Sequence, residues 1–358
     1  MPVAPLLHFW LPLDAGKFCP GAQEPLFRLQ WHGDWLEGTP LYAKQDEVLM
    51  LLKDGRVQGI DPADAKNYSE LKSSFHGLSA AELRAELLSE FGKGFEVSAA
   101  GHYLVVHPAG SGHIWAPRFE ELYRSFVVYF SSRGFKLQEP RFPLVAVVYA
   151  SQADFHRQLQ REQFTPPGSI LGYYSPKTNR ITMFDVTAGK ANADWTVNAD
   201  TIIHEATHQT AFNVGIHNRF SSTPQWIAEG LGTMFEAKGV CNSRANSSQA
   251  TRINRGRMEA FKQYSSSKRD KNAIADIVTD DRIFQVDPNA AYSEAWALTF
   301  FLSETEPKKY QQYLTKVAAV PRFTEYSKSA RLQDFVSVFG TNLSMLDARM
   351  QRFVRDLK

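Results

Sequence analysis

Polar and apolar residues alternate in short runs through the first quarter of the chain. An apolar run, Val48–Leu52, is followed closely by a second, Val57–Ile60. Asp54 and Gly55 stand between the two runs, and an Asp-Gly pair is typical of a tight hairpin turn because it accepts positive φ. The pattern predicts a small β-rich accessory unit over residues 1–75.

A helix is predicted after this unit. Ser79 followed by Glu82 is a capping box, in which each residue satisfies a free backbone amide of the other. Apolar residues recur at helical spacing up to Phe91, and Gly92 then ends the pattern. We therefore expect a helical linker over residues 76–94.

Strand and helix patterns alternate in the next hundred residues, and helix patterns dominate the rest. Strands are predicted at 103–106, at 144–149, around Tyr174 and at 180–184. An amphipathic helix near 118–131 separates the first two of them. The chain is therefore predicted to be α+β, with one large domain at 95–358. Its sheet part covers 95–190 and its helical part 195–358.

Composition narrows the class of partner. The 358 residues include 40 Lys+Arg and 38 Asp+Glu, spread along the chain, so no basic surface for nucleic acid is implied. The apolar stretch at 6–13 is too short to span a bilayer. We expect a soluble protein with no transmembrane segment and no nucleic-acid partner.

The compartment and the oligomeric state stay open. Cytoplasmic location and export to the periplasm or exterior, with a signal peptide absent from this chain, both fit the sequence. Cys19 and Cys241 are too few for a disulfide scaffold, and whether they form one bridge is undecided.

One pentapeptide carries recognisable chemistry. His204 and His208 stand four residues apart, with Glu205 between them, in a segment predicted to be helical. Residues at i and i+4 share a helix face, so both imidazoles can bind one Zn²⁺. Glu205 then lies beside the metal, where it can take a proton from zinc-bound water. The alternative is a solvated helix face with two unrelated histidines.

A catalytic zinc needs a third protein ligand, and Glu229 is the best candidate. Twenty residues separate it from His208, which suits a loop and a return on a second helix. Thr223 and Pro224 predict the start of that helix and Gly239 its end, so Glu229 falls in the second turn. The alternative is an exposed glutamate on an amphipathic helix.

His217 is the nearest other histidine. The zinc-site pattern HExxHxxGxxH requires glycine at 211 and histidine at 214, where this chain has Ala211 and Val214. That class of zinc site is excluded. His217 remains the ligand to test next if Glu229 is wrong.

The motif His204-Glu205-Xaa-Xaa-His208, followed by Trp-Ile-Ala-Glu-Gly at 226–230, resembles the gluzincin branch of zinc metallopeptidases. The wider chain resembles bacterial peptidase-MA-like proteins of unassigned function. The likeness covers about residues 140–305. It implies a thermolysin-like zincin core, in which a mixed sheet with an edge strand precedes an active-site helix and a helical C-terminal part.

The resemblance also implies roles. His204, His208 and Glu229 would hold one Zn²⁺ per chain, and Glu205 would be the general base. The strands around Tyr174 and Thr182 stand where gluzincins place the strand that binds the substrate backbone, so these two are candidate substrate-binding residues.

Tyr292 stands on a segment that resembles the helix after the site in gluzincin aminopeptidases, where a tyrosine donates a hydrogen bond to the developing oxyanion. The alternative is core packing, because Trp296 and Phe300 follow at i+4 and i+8. Glu236, seven residues after Glu229, and Asp185 are candidates to orient a ligand histidine.

The sequence thus predicts a zinc metallopeptidase. The Gly-Xaa-Met-Glu-Asn motif that holds a free amine in the aminopeptidases is absent, so cleavage of internal bonds in a peptide or protein substrate is favoured. The alternative is a non-catalytic, zinc-containing binding or scaffold module that acts through the N-terminal β unit. Glu205 favours catalysis, because a purely structural site has no use for a base that is not a ligand.

Overall fold

The computed structural model describes residues 24–166, 170–190, 194–242 and 248–358. Predictions for residues 1–23 lie outside the described residues. Cys19 is among them, so its pairing with Cys241 stays open.

The first described strands form one antiparallel sheet. They are β1 (Pro25–Trp31), β2 (Asp34–Ala43), β3 (Val48–Leu52), β4 (Val57–Ile60) and β5 (Ala65–Ser74). Across the sheet their order is β4-β3-β2-β1-β5. The predicted hairpin is confirmed: β3 pairs with β4, and Gly55 takes a φ of +88° in the turn. Helix α1 (Ala80–Phe91) follows, with the expected capping box between Ser79 and Glu82.

A mixed sheet occupies the middle of the chain. Its strands are β6 (Phe95–Ala100), β7 (Tyr103–Pro108), β8 (Leu144–Tyr149), β9 (Gly172–Ser175) and β10 (Arg180–Phe184). Their order is β6-β7-β8-β10-β9, with β8 parallel to both neighbours and β9 antiparallel to β10. Strand β9 is therefore an edge strand of the described sheet.

Side chains alternate between the two faces of this sheet, as the period of two requires. Val145 and Val147 face a smaller core with α1 and with α3 (Gln152–Arg161). Ala146 and Val148 face the main core, together with α2 (Gly112–Ser131) and the C-terminal helices. The α+β class predicted from the sequence is confirmed.

The C-terminal part is helical. Its helices are α4 (Thr196–Asn213), α5 (Gln225–Phe235), α6 (Lys238–Cys241), α7 (Gln249–Arg252), α8 (Arg255–Ser267), α9 (Ala273–Thr279), α10 (Ile283–Val286), α11 (Pro288–Thr305), α12 (Pro307–Ala318), α13 (Lys328–Phe339) and α14 (Leu343–Asp356). Helix α11 is buried along most of its length and packs against α5. None of the helices in the described residues has the length and apolar character needed to cross a lipid bilayer.

The ends of two helices bear on the site. Helix α4 begins at Thr196, and the Asp194 carboxylate accepts a hydrogen bond from the Thr196 amide at 2.9 Å, because a carboxylate just before a helix reaches the free amides. Helix α5 ends at Phe235, before the predicted Gly239, which belongs to the separate turn α6. Glu229 stays in the second turn.

The two sheets are joined by packing and by the backbone. Phe142, which precedes β8, is buried among apolar residues of the first sheet. The Val57 amide donates to the Lys177 carbonyl at 2.8 Å. A Cβ at Gly77 would lie 2.7 Å from the Phe142 ring, so only glycine fits between them. The unit boundary at residue 75 stays a prediction.

Candidate metal centre

Helix α4 presents both motif histidines on one face. The rings of His204 and His208 lie 4.7 Å apart and nearly perpendicular, at 84°. Their Nε2 atoms are 3.1 Å apart. This follows from the four-residue spacing, because one helical turn stacks the two side chains on the same face.

Glu229 reaches the same point from α5. Its Oε2 lies 3.2 Å from His204 Nε2 and 3.5 Å from His208 Nε2, and the three side chains offer ligand atoms within 4.8 Å of one another. Two ligands of a tetrahedral zinc, each about 2.0–2.1 Å from the metal, lie about 3.3 Å apart. The three observed separations therefore fit this donor set to one zinc ion.

The charge balance of the cluster also fits a cation. Glu205, Glu229 and Glu236 converge on two histidines, and within the described residues no lysine or arginine forms an ion pair with any of these carboxylates. Burial acts against a charged Glu229, but the neighbouring histidines outweigh it and hold its pKa well below the usual range. Burial likewise opposes protonation of His204, and hydrogen bonds to Glu229 and Glu236 overcome it, so its pKa is raised. A bound cation would replace that proton.

Two glycines let the helices come together here. A Cβ on Gly232 would lie 2.8 Å from His204 Cε1, so the imidazole fits only against a bare backbone. A Cβ on Gly230 would lie 2.2 Å from Thr299 Oγ1 and 2.6 Å from the Ala295 carbonyl of α11. The helix-weakening glycines therefore serve close packing on two sides of α5.

Glu236 contacts the outer nitrogen of the first histidine. Its Oε1 lies 2.8 Å from His204 Nδ1, which leaves Nε2 facing the other donors. Asn254 is the residue just before α8, and its side-chain amide donates to Glu236 Oε2 at 2.7 Å. Sequence reasoning missed Asn254, because its only local signal is that of an ordinary helix cap, a role it also plays for Arg257.

The structure does not bring Asp185 to the histidines. Its carboxylate accepts hydrogen bonds from Thr187 and from Asn198 Nδ2, the latter at 2.7 Å. Asn198 in turn accepts from the Val186 amide at 3.1 Å. Asp185 therefore fastens the loop after β10 to the first turn of α4.

The remaining motif residue faces the edge of the mixed sheet. Glu205 Oε2 accepts a hydrogen bond from the Tyr174 amide on β9 at 2.8 Å. Thr182 is only 3 % exposed on β10, which lies between β8 and β9, so the structure does not bring Thr182 to the site. The sequence does not show which of two adjacent strands is the edge, and only β9 has a free side.

Tyr292 lies beside the carboxylates. Burial, and then the charges of Glu229 and Glu205, raise the pKa of its phenol, which therefore stays protonated and can donate. The Arg257 guanidinium lies over the ring at 5.0 Å, and Phe284 packs edge-on at 5.5 Å. The aromatic stripe predicted as the alternative also exists, since Trp296 and its neighbour at i+4 stack at 5.4 Å.

His217 contributes no donor atom to this cluster. It is 2 % exposed, its ring packs on Phe212 at 5.0 Å, and burial lowers its pKa to about 3.

Comparisons with known proteins give limited matches. Residues 198–323 match the profile of a family described as "Protein of unknown function (DUF1570)". No curated protein matches. Among solved structures, a variant of the M1 zinc metallopeptidase from Deinococcus radiodurans, bound to a Tyr-Ser-Ala substrate, is 13% identical with a TM-score of 0.40. The alignment covers 72% of this chain and 48% of that one. A second structure of that variant is also 13% identical, with a TM-score of 0.39, and the alignment covers 72% of this chain and 49% of that one. The chain thus spans about half the length of these peptidases.

Proposed function

We propose that this chain is a zinc-dependent peptidase of the gluzincin type, which cleaves internal peptide bonds within a thermolysin-like zincin core. One observation carries the proposal: two imidazole nitrogens and one carboxylate oxygen, from α4 and α5, converge at separations that fit a single zinc ion. Structural zinc sites use four protein ligands, whereas catalytic sites use three and keep one position open. Three donors, His204, His208 and Glu229, favour catalysis over a scaffold role.

Zinc bound in such a site polarises a carbonyl and lowers the pKa of a water molecule to about 7. Glu205 is the proton carrier in this proposal. Its Oε2 is held by the Tyr174 amide, so the carboxylate has a fixed position beside the donor atoms. It accepts the proton of the attacking water and passes it to the leaving amine.

Tyr292 and Glu236 support this chemistry. The phenol of Tyr292 stays protonated beside the carboxylates, so it can donate a hydrogen bond to the oxyanion that develops on the substrate. Glu236 fixes the ring of His204 through Nδ1, which holds Nε2 towards the other donors.

The substrate binds along β9 in this proposal. An extended peptide can add to the free side of an edge strand through backbone hydrogen bonds, and β9 is such a strand in the described sheet. The Tyr174 amide lies next to the general base, so a peptide on β9 passes close to the donor cluster. The missing motif for a free amine favours internal bonds.

The test combines metal content with turnover. We expect about one zinc per purified chain, which Glu229→Ala largely removes, since two ligands remain. We expect Glu205→Gln to keep the zinc and to lose about 10²- to 10⁴-fold in turnover of unfolded protein or a peptide library, because an amide cannot accept the proton.

Glu259→Gln, an exposed glutamate on α8, is the matched control and should change neither quantity. Full activity in Glu205→Gln would contradict the mechanism. Zinc retention without turnover in the unaltered protein would instead support the scaffold alternative.

A further inference from the structure

A cavity of ≈ 500 Å³ lies beyond the C-terminal end of α4, where the first sheet meets the helical part. Its lining includes Phe212, His217, Arg219, Phe220 and Arg322. Phe212 follows His208 by one helical turn, and its ring stacks on Tyr174 at 5.7 Å. One wall of the cavity is therefore shared with the candidate metal centre.

Two arginines in this lining each lie over the same aromatic ring. The guanidinium groups of Arg219 and Arg322 lie 5.1 Å and 5.4 Å from the centre of the Phe220 ring. Within the described residues neither forms an ion pair with a carboxylate, whereas Arg141, also in the lining, is paired with Glu24. Their positive charges are therefore not balanced by a carboxylate, and an anion in the cavity would balance them.

Arg219 is fixed in place by backbone carbonyls. Its Nε donates to the Pro176 carbonyl at 2.7 Å and its Nη2 to the Gly55 carbonyl at 2.6 Å. Nη1 has no such partner in the described part of the chain. The charge of Asp54 acts on Arg219, but the hydrogen bond of the Asp54 carboxylate is with Arg56. The group is thus rigid and retains a free donor edge.

His217 adds a buried polar group without a partner. Only 2 % of it is exposed, and neither ring nitrogen has a hydrogen-bond partner among the described residues. A buried polar atom of this kind normally has a partner, because leaving it unsatisfied costs about 1–3 kcal/mol. Both ring nitrogens are closed to solvent, so His217 packs in the wall of the cavity and offers no donor to its interior.

We propose that this cavity binds a carboxylate of the peptide substrate, with Arg219 and Arg322 as the recognising groups. The inference rests on the proposed function, since it assumes a peptide along β9. Pro176, whose carbonyl holds Arg219, lies in the turn that directly follows β9, so the cavity lies near the end of the strand that binds the peptide in this proposal. The carboxylate is either a free C-terminus or an aspartate or glutamate side chain.

Binding is measured on the zinc-loaded full chain carrying Glu205→Gln, so that no peptide is cleaved. The probes are acetyl-trialanine with a free carboxylate, its C-terminal amide, and that amide with one alanine replaced by aspartate. Hydrogen bonds to a charged group strengthen binding by about 10- to 100-fold, so a carboxylate peptide should exceed the plain amide by that factor. The carboxylate peptide that binds more tightly than the plain amide shows whether the cavity recognises a free C-terminus or an acidic side chain.

Two variants locate the effect. Arg322 is exposed, so Arg322→Gln should fold normally and reduce the preference for carboxylate to a few-fold. Arg219→Gln should do the same, with its fold checked by thermal unfolding. Arg352→Gln, which removes the same charge from an exposed position on α14, is the matched control and should leave the preference intact.

Equal binding of the three probes, or no binding of either carboxylate peptide, would overturn the proposal. So would an equal loss in Arg352→Gln, because the effect would then come from net charge alone. The outcomes are separate from the proposed function: peptidase activity without a preference for carboxylate refutes only this cavity's role, and a preference without activity in the unaltered chain refutes only catalysis.

Discussion

Two buried ionic clusters lie close together along α11, and they differ in where the positive charge comes from. Arg269 donates four hydrogen bonds of 2.6–3.1 Å to Glu294 and Asp347, and all three side chains are largely buried. Two residues before Glu294, Tyr292 faces the other cluster, where the ion-pair partners of Glu229 among the described residues are histidines.

The difference separates a structural cluster from a candidate site. In the first cluster the chain supplies a permanent cation: burial raises the pKa of Glu294, and the Arg269 guanidinium opposes that rise. In the second, histidines that are neutral when they bind metal leave the carboxylates uncompensated. Buried charge without a fixed counter-ion indicates that the counter-ion is a ligand.

The largest effect on stability is expected from removing Arg269, the cation of the first cluster. Arg269→Met leaves Glu294 and Asp347 buried without their cation, so we expect the free energy of unfolding to fall by about 3–5 kcal/mol in urea denaturation. Arg282→Met, at an arginine that is 78% exposed in its ion pair, is the control and should change it by less than about 1 kcal/mol. Zinc bound per folded chain should be unchanged in both. Zinc loss in Arg269→Met without destabilisation would show that the clusters are coupled.

The second prediction tests the role of Tyr292, which lies near both clusters. Tyr292→Phe removes a donor that acts mainly in the transition state, so kcat should fall by about 10²- to 10³-fold, or about 2.7–4 kcal/mol, with little change in KM. Tyr313→Phe removes a buried hydroxyl that has no partner among the described residues and should leave kcat unchanged. Zinc content is measured in both variants. A fully active, zinc-loaded Tyr292→Phe would assign Tyr292 to the core.

The smallest effect concerns the carboxylate behind the first histidine. Glu236→Gln should weaken zinc binding by about 10- to 100-fold, measured by competition with a chromophoric chelator. Glu236 also helps to raise the pKa of His204, so a proton competes with zinc in acid and affinity should fall as the pH falls. The variant lessens that competition, so its deficit should be largest at alkaline pH and should shrink in acid.

Glu259→Gln again serves as the control. An equal deficit at every pH would show that Glu236 acts on zinc without changing the protonation of His204. No deficit at any pH would remove Glu236 from the metal centre.

Short-range features were predictable from the sequence because they depend on local geometry. The four-residue spacing of His204 and His208 needs only the pitch of a helix, and the capping box of Ser79 needs only the first turn. A continuous apolar run likewise predicted β8, since a strand covered on both faces is apolar along its whole length.

Other features of the site depend on the neighbours of an element. Thr182 was predicted to bind the substrate, and the order of strands across the sheet, which is set by packing, puts its strand β10 inside. Asp185 is close to α4 and binds Asn198 instead of a histidine. Asn254 donates a hydrogen bond to Glu236, and this contact depends on the path of the chain between them, which no local pattern predicts.

The sequence by itself determined the pair of histidines on one helix face, the glutamate between them and a candidate third ligand, because these follow from residue type and from spacing along helices. Tertiary structure decided that Glu229 reaches the pair, since glycines at 230 and 232 allow close approach only in the packed state. It also decided that Arg219 and Arg322, a hundred residues apart, meet on one ring. Contacts between distant segments depend on the shape of the whole core, and no local pattern carries that information.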